Sequence, residues 1–140
     1  MIFIDTSVLI AAINAKDSRH ARAKDLLREV DSGRWGTALV PDFVLVEAAS
    51  WLVRKRGAKH AQNFVRTLLG EGSVRLLPCS DHVPGALHIF LEQRGTRLSL
   101  TDAAIVGMAR DLGYRTIATF DSDFRAFREL RIIDGPGTAA

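Results

Sequence analysis

The chain has 140 residues, 47% of them hydrophobic and 25% charged, which suits one folded domain with a real core and excludes a largely disordered chain. No apolar run approaches the roughly 18 residues of a membrane span, and Met1 to Asp5 is too short for a signal peptide and has no positive lead, so a cytoplasmic protein is expected. The formal net charge is +3, and 15 of the 19 basic residues are Arg; on composition alone this reads as plain solubility charge, while Arg's planar fork suits phosphate, and a basic surface around an acidic metal pocket would suit nucleic acid.

In chain order, Ile2 to Asp5 reads as a short buried strand, and Thr6 to Ile13 as a helix capped by Thr6 or Ser7. Ser18 to Ser32 sets Ala21, Leu26, Leu27 and Val30 on one side with Arg and Lys opposite, an amphipathic helix ended by Gly33. Thr37 to Val40 is a second strand. A helix from Pro41 and Asp42 to Arg56 stops at Gly57, and another over Ala58 to Leu69 closes at Gly70-Glu71-Gly72. Val74 to Leu77 is a third strand. Asp81 to Gln93 is helical, with Pro84 tolerated in its first turn. Arg94 to Leu100 reads as a loop, Thr101 to Leu112 as a helix ended by Gly113, and Thr116 to Phe120 as the fourth strand. A helical turn over Phe124 to Glu129 and a fifth, edge strand at Arg131 to Ile133 complete the pattern. Residues 1–134 are expected as a single domain and 135–140 as a flexible tail. Strands alternating with helices predict an α/β fold, with a parallel central sheet of four to five short strands and helices on both faces.

Four acids stand in apolar or cap-like settings. Asp5 ends the run Met1-Ile2-Phe3-Ile4, and Glu47 interrupts Phe43-Val44-Leu45-Val46 and Ala48-Ala49. Asp102 opens Ala103-Ala104-Ile105-Val106, and Asp121 follows the strand ending at Phe120. Each has a structural reading of its own: Asp5 and Asp102 as helix caps, Glu47 as a surface residue paired with Arg54, Asp121 as a turn residue. Because Thr6 and Ser7 can cap the first helix, Asp5 is expected to be free for other work. In a parallel sheet, ligands bind beyond the carboxyl ends of the strands, where Asp5 and Asp121 fall. A divalent cation is the simplest compensation for carboxylates gathered there. The lone Cys79 allows no disulfide within the chain and is read as structural.

Phe3-Ile4-Asp5-Thr6-Ser7-Val8-Leu9-Ile10 is similar to the opening motif of the PIN-domain nucleases, in particular the VapC-like toxins of type II toxin–antitoxin pairs. Glu47 resembles the second acid of that family. Leu98-Ser99-Leu100-Thr101-Asp102-Ala103-Ala104-Ile105-Val106 resembles its third motif and Thr119-Phe120-Asp121-Ser122-Asp123-Phe124 its fourth. The resemblance implies a PIN-like fold and an Mg²⁺-dependent endoribonuclease, with Mn²⁺ an alternative, leaving 5′-phosphate and 3′-hydroxyl ends. It implies Asp5, Glu47, Asp102 and Asp121 as catalytic carboxylates, Asp5, Asp102 and Asp121 as metal ligands, Thr6 and Thr119 as supporting hydroxyls and Asp123 as an accessory. It also implies an antitoxin partner and a homodimer, for which the apolar faces around Phe43, Val46 and Trp51 and around Leu26 and Leu27 are candidates.

Arg54, Lys55, Arg56 and Lys59 near the end of the Glu47 helix, and Arg94, Arg97 and Arg125 beside the acidic motifs, are candidate RNA-positioning residues; phosphate contacts position a strand without reading it. Three other readings stay open: a stand-alone PIN nuclease of RNA processing, a non-catalytic RNA-binding module, and a phosphotransferase using Asp121-Ser122-Asp123. No Gly-rich phosphate loop follows any strand, which argues against a dinucleotide or nucleoside-triphosphate site.

Overall fold

The computed structural model describes residues 1–70, 72 and 74–137. In order the elements are β1 (Ile2–Ile4), α1 (Thr6–Ile13), α2 (His20–Asp31), β2 (Ala38–Pro41), α3 (Asp42–Arg56), α4 (Ala58–Gly70), β3 (Val74–Leu77), α5 (Val83–Glu92), α6 (Leu100–Leu112), β4 (Thr116–Ala118) and β5 (Arg131–Ile133). Short 3-10 turns at Ser80–His82 and Ser122–Ala126 precede α5 and β5. The five strands form one sheet in the order β3-β2-β1-β4-β5, and every pair is parallel. With helices on both faces this is the expected α/β architecture. Among the described residues, no helix is long and apolar enough to cross a membrane.

Burial explains the arrangement. The central strand β1 is buried along its length, as are β2 and the last two residues of β4. Strands covered on both faces lose the alternating pattern and read as continuous apolar runs. The edge strand β3 keeps only partial cover, which is why Arg75 is tolerated there. Helix α6 is buried from Asp102 through Ala109, so its apolar residues run all round rather than along one stripe. Gly113 ends it in the left-handed conformation, φ 74°, at little steric cost because it has no Cβ.

Four local expectations are corrected. Strand β1 stops at Ile4 because Asp5 turns out of the sheet to cap α1 itself: its Oδ1 accepts from the N–H of Thr6 at 2.8 Å. The expected Asp81–Gln93 helix is divided, with a 3-10 turn at Ser80–His82 before α5; Pro84 stands in the first turn of α5, where its missing N–H is harmless, and cannot continue a helix from further upstream. The turn expected at Phe124–Glu129 lies earlier, at Ser122–Ala126, because the Asp121 side chain caps it through the N–H of Asp123 at 2.9 Å. Helix α6 begins one residue sooner, since Ser99 is its N-cap. Of the expected tail, Gly137 donates its N–H to Glu29 Oε1 at 2.7 Å, while residues 138–140, like Glu71 after α4, lie outside the described residues.

Candidate active site

Because β1 and β4 are neighbours, the turns that follow them share one end of the sheet. Asp5 leaves β1 with its N–H still donated to Ala118 O at 3.0 Å, and it is 2% exposed. Its carboxylate is fixed from several sides. Oδ1 accepts from Thr6 N–H, and Oδ2 accepts from the Thr119 hydroxyl at 2.7 Å and the Ser7 hydroxyl at 2.8 Å. Both hydroxyl protons are thereby committed, and each hydroxyl oxygen then accepts from the far turn: Ser7 Oγ from Phe120 N–H at 3.1 Å, Thr119 Oγ1 from Asp121 N–H at 3.0 Å. The two turns are laced together through one acid. Ser7 carries as much of this lacing as Thr119 and was read from the sequence only as a cap; the signal available was its place two residues after Asp5. The Thr6 hydroxyl is buried and has no partner among the described residues.

Asp102 reaches the same region from the start of α6. Ser99 and Asp102 form a reciprocal capping box: Asp102 N–H donates to Ser99 Oγ at 3.1 Å and Ser99 N–H donates to Asp102 Oδ2 at 3.0 Å. Such caps stabilise a helix by about 1 kcal/mol, and this one fixes the carboxylate. Burial, and then the negative charge of Asp5, push the Asp102 carboxyl up to about 7, with Asp121 adding to the rise. Burial also raises Asp5 against the pull of its hydroxyl and backbone donors, with Asp121 again contributing. The three acids therefore feel one another across distant segments of chain. Among the described residues, no three His, Cys, Asp or Glu side chains close into a ready-made metal cluster.

The donor set nevertheless fits a hard divalent cation. Asp102 Oδ1 and Asp121 Oδ2 make no hydrogen bond among the described residues, and Asp5 Oδ1 has a lone pair left beyond Thr6 N–H. All three are anionic oxygen donors, the type Mg²⁺ and Mn²⁺ take. The orphaned Thr6 hydroxyl beside Asp5 is a further group that ordered water or a ligand satisfies.

Glu47 differs from the other acids. It is exposed on α3, not embedded in the core. Its apolar neighbour Val46 is itself 63% exposed, so the sequence run misled by suggesting burial all round. Glu47 lines an open groove with Phe43, Ser50, Arg54 and Thr101, the last being the chain neighbour of Asp102. Arg54 shares that groove without an ion pair to Glu47, so the pairing weighed from sequence is absent.

Asp123 points away from the acids and binds the neighbouring loop, its Oδ2 accepting from Arg97 N–H at 3.1 Å; the cap of this turn is Asp121. Asp42 opens α3 and accepts from Cys79 N–H at 3.1 Å. Cys79 is fully buried, donates its thiol toward Met108 Sδ at 3.7 Å, and has that thiol pushed up to about 11 by burial. Of the basic candidates, Arg54, Lys55 and Arg97 are exposed, and Arg125 is paired with Asp134 at 3.1 Å.

The family model described as PIN domain matches residues 2–130. Among solved structures, the chain is similar to the Mycobacterium tuberculosis toxin VapC20, described as a sarcin-ricin loop cleaving toxin: 28% identity, TM-score 0.78, covering 90% of this chain and 94% of that one. It shares its fold with VapBC2 from Rickettsia felis, solved on a DNA fragment from its promoter, at 19% identity and TM-score 0.72, covering 96% and 99% of the two chains. It likewise shares it with VapBC from Salmonella typhimurium bound to DNA, at 16% identity and TM-score 0.62, covering 95% and 96%. No curated protein sequence matches the chain.

Proposed function

Because the chain belongs to the PIN-domain family, we propose that it is a metal-dependent endoribonuclease that hydrolyses RNA phosphodiester bonds in the cytoplasm, and the toxin of a toxin–antitoxin pair. The observation that carries the reading is the meeting of Asp5, Asp102 and Asp121 beyond the ends of two adjacent parallel strands. There burial and mutual repulsion hold the Asp5 and Asp102 carboxyls above their ordinary range. Perturbed acids gathered in one place mark a functional site more often than a structural one.

Asp5, Asp102 and Asp121 would hold Mg²⁺ or Mn²⁺, which when bound offsets their charge, acidifies water and stabilises negative charge on the phosphoryl oxygens. Thr119 and Ser7 orient Asp5 and tie it to the Asp121 turn, which fixes that carboxylate before substrate arrives. One carboxylate, Asp102 or Asp121, would orient the attacking water as base; Asp121 is half-buried with one oxygen on Asp123 N–H. Glu47, across the groove from Thr101, acts from the exposed side of the pocket. Arg54 lines the same groove and the exposed Lys55 and Arg97 would serve with it as positioning cations, and Asp123 holds Arg97's loop to the fourth acidic motif as an accessory.

For the antitoxin we assign the apolar cavity of about 370 Å³ between α1, α2, α4 and the sheet, lined by Leu9, Ile13, Leu27, Phe64, Leu68 and Val74. Leu26, a candidate partner residue by sequence, is fully buried core. For a homodimer, the exposed Val46 and Val53 share one face of α3.

The test is RNA cleavage with Mg²⁺, Mn²⁺ or EDTA, beside Asp5→Asn and Asp102→Asn. Cleavage is expected to need the metal and both acids. Activity that survives EDTA or either substitution refutes the metal-nuclease reading, and RNA binding without cleavage by the partner-free protein favours a binding module.

A further inference from the structure

Phe120 sits between Thr119 and Asp121, and its backbone N–H donates to Ser7 Oγ at 3.1 Å, which ties its backbone to the Asp5 turn. Two guanidinium groups from a remote part of the chain lie over the Phe120 ring: Arg19 Cζ stands 4.9 Å from the centroid and Arg22 Cζ 4.8 Å. They are not equivalent. Arg19 is gripped by Asp17, Nε on Oδ1 at 3.1 Å and Nη2 on Oδ2 at 3.2 Å, so its fork is filled. Arg22 is exposed and forms no ion pair among the described residues. Its stem lies beside Gly135, where an added Cβ would stand 3.2 Å from Arg22 Cδ.

The arrangement concentrates positive charge at one point of the free protein. Two like charges share one ring and only one is compensated. The first turn of α2 also contains no acid, so the helix dipole adds to the repulsion at Arg22. An anion beside Arg22 offsets both. The ring supplies stacking that keeps the fork in one place, which lowers the entropy lost on binding.

Resting on the nuclease reading above, we propose that Arg22, held with Arg19 on the ring of Phe120, is a positioning residue that takes an RNA phosphate flanking the scissile one. The strand then runs from the acidic pocket across Phe120 toward the start of α2. Arg54, one of the cations singled out from sequence, lines the Glu47 groove instead. This gives the strand a second direction of support and a fixed register over Asp121.

The test uses the full chain with a fluorescein-labelled single-stranded RNA oligonucleotide that the wild-type protein cleaves. Compared are Arg22→Ala, Arg22→Lys and, as a control of equal charge change, Arg28→Ala, whose cation is already paired with Asp25. Arg22→Ala is expected to raise KM about tenfold, the value of one charge-assisted contact, with kcat nearly held. Arg22→Lys recovers part of that loss, because a point charge replaces the fork. In EDTA, by anisotropy, the slope of log affinity against log salt falls by about 0.7 for Arg22→Ala, one single-strand phosphate contact, and is unchanged for Arg28→Ala. If Arg22→Ala matches Arg28→Ala in KM and slope while the wild type cleaves, the phosphate site is overturned and the nuclease reading stands. If Arg22→Ala weakens only binding of the antitoxin, Arg22 is a protein contact and the proposal is likewise overturned. If wild-type protein neither cleaves nor binds the RNA, the nuclease reading falls and takes the phosphate site with it.

Discussion

Replacing Asp102 by Asn should stabilise the metal-free protein at neutral pH, even though it removes a residue proposed as a metal ligand. Burial and the charge of Asp5 raise the Asp102 carboxyl from its ordinary 3.8 to about 7 in the folded state. Between those values the folded protein keeps a proton that the unfolded chain has released, so stability falls as pH rises from about 4 to about 7 and stays low above it. At ~1.4 kcal/mol per pH unit the penalty is about 4 kcal/mol. Asp5 shares this titration with Asp102, so one substitution recovers about half, ~2 kcal/mol. Asn is neutral and keeps an oxygen for Ser99 N–H, so the cap on α6 survives. Urea or thermal denaturation in EDTA at pH 4, 6 and 8 reads the effect directly. The variant should melt roughly 6 °C above wild type at pH 8 and close to it at pH 4. Added Mg²⁺ should raise the wild-type Tm and move the variant much less. A variant that is less stable than wild type at pH 8, or a difference that does not change with pH, refutes the account of Asp102 as a carboxylate held against its charge.

The remaining predictions concern the supports of the site and the core. Thr119→Val removes the 2.7 Å donor to Asp5 and orphans the N–H of Asp121; it should cost about 2 kcal/mol in urea denaturation and lower kcat rather than raise KM. Gly36→Ala should cost about 2 kcal/mol or more, since Gly36 has φ 78° and an added Cβ would lie 2.7 Å from Met1 N; a variant as stable as wild type would show that the β1–β2 end yields. Cys79, buried and with its thiol pushed up to about 11, should resist a thiol reagent at pH 8 until denaturant unfolds the chain. Labelling of the native protein on the timescale of a free thiol would contradict its burial.

Much of the sheet was legible because strands covered on both faces carry their signal in unbroken apolar runs, as Ile2-Phe3-Ile4 and Ile117-Ala118 do. The sites of Asp5 and Asp121 followed from that alone, since a parallel sheet gathers its strand ends. What the sequence hid is decided by contacts between distant segments. Whether Asp5, Thr6 or Ser7 caps α1 depends on the direction the chain takes on leaving β1, and the hydroxyl that seemed free to cap is the one recruited by Phe120 N–H. Glu47 looked interior because its neighbours are apolar, yet Val46 faces solvent. One residue of helix turns the side chain by about 100°, so neighbours in sequence do not report a helical residue's burial. Arg19 and Arg22 carried no signal at all: only the docking of α2 against the β4 turn brings residues so remote in sequence onto the Phe120 ring.

The four acids divide by how much of their freedom the fold has already removed. Asp5 accepts from three donors and is closed off from solvent. Asp102 and Asp121 each accept one backbone N–H, through a helix cap and a turn cap, and keep one oxygen without a hydrogen bond among the described residues. Glu47 is exposed and accepts no hydrogen bond among the described residues. The same backbone bonds that end a strand or start a helix therefore aim three carboxylates at one region, and the folding of α1, α6 and the Asp121 turn is also the assembly of the site. The burial and repulsion this leaves at Asp5 and Asp102 are what a bound cation would relieve under the proposed function. Glu47, the acid with the most rotamer freedom, is left to adjust to whatever the other three have bound. Substituting it should cost activity without the pH-dependent gain in stability expected of Asp102→Asn, because there is no buried charge on Glu47 to relieve.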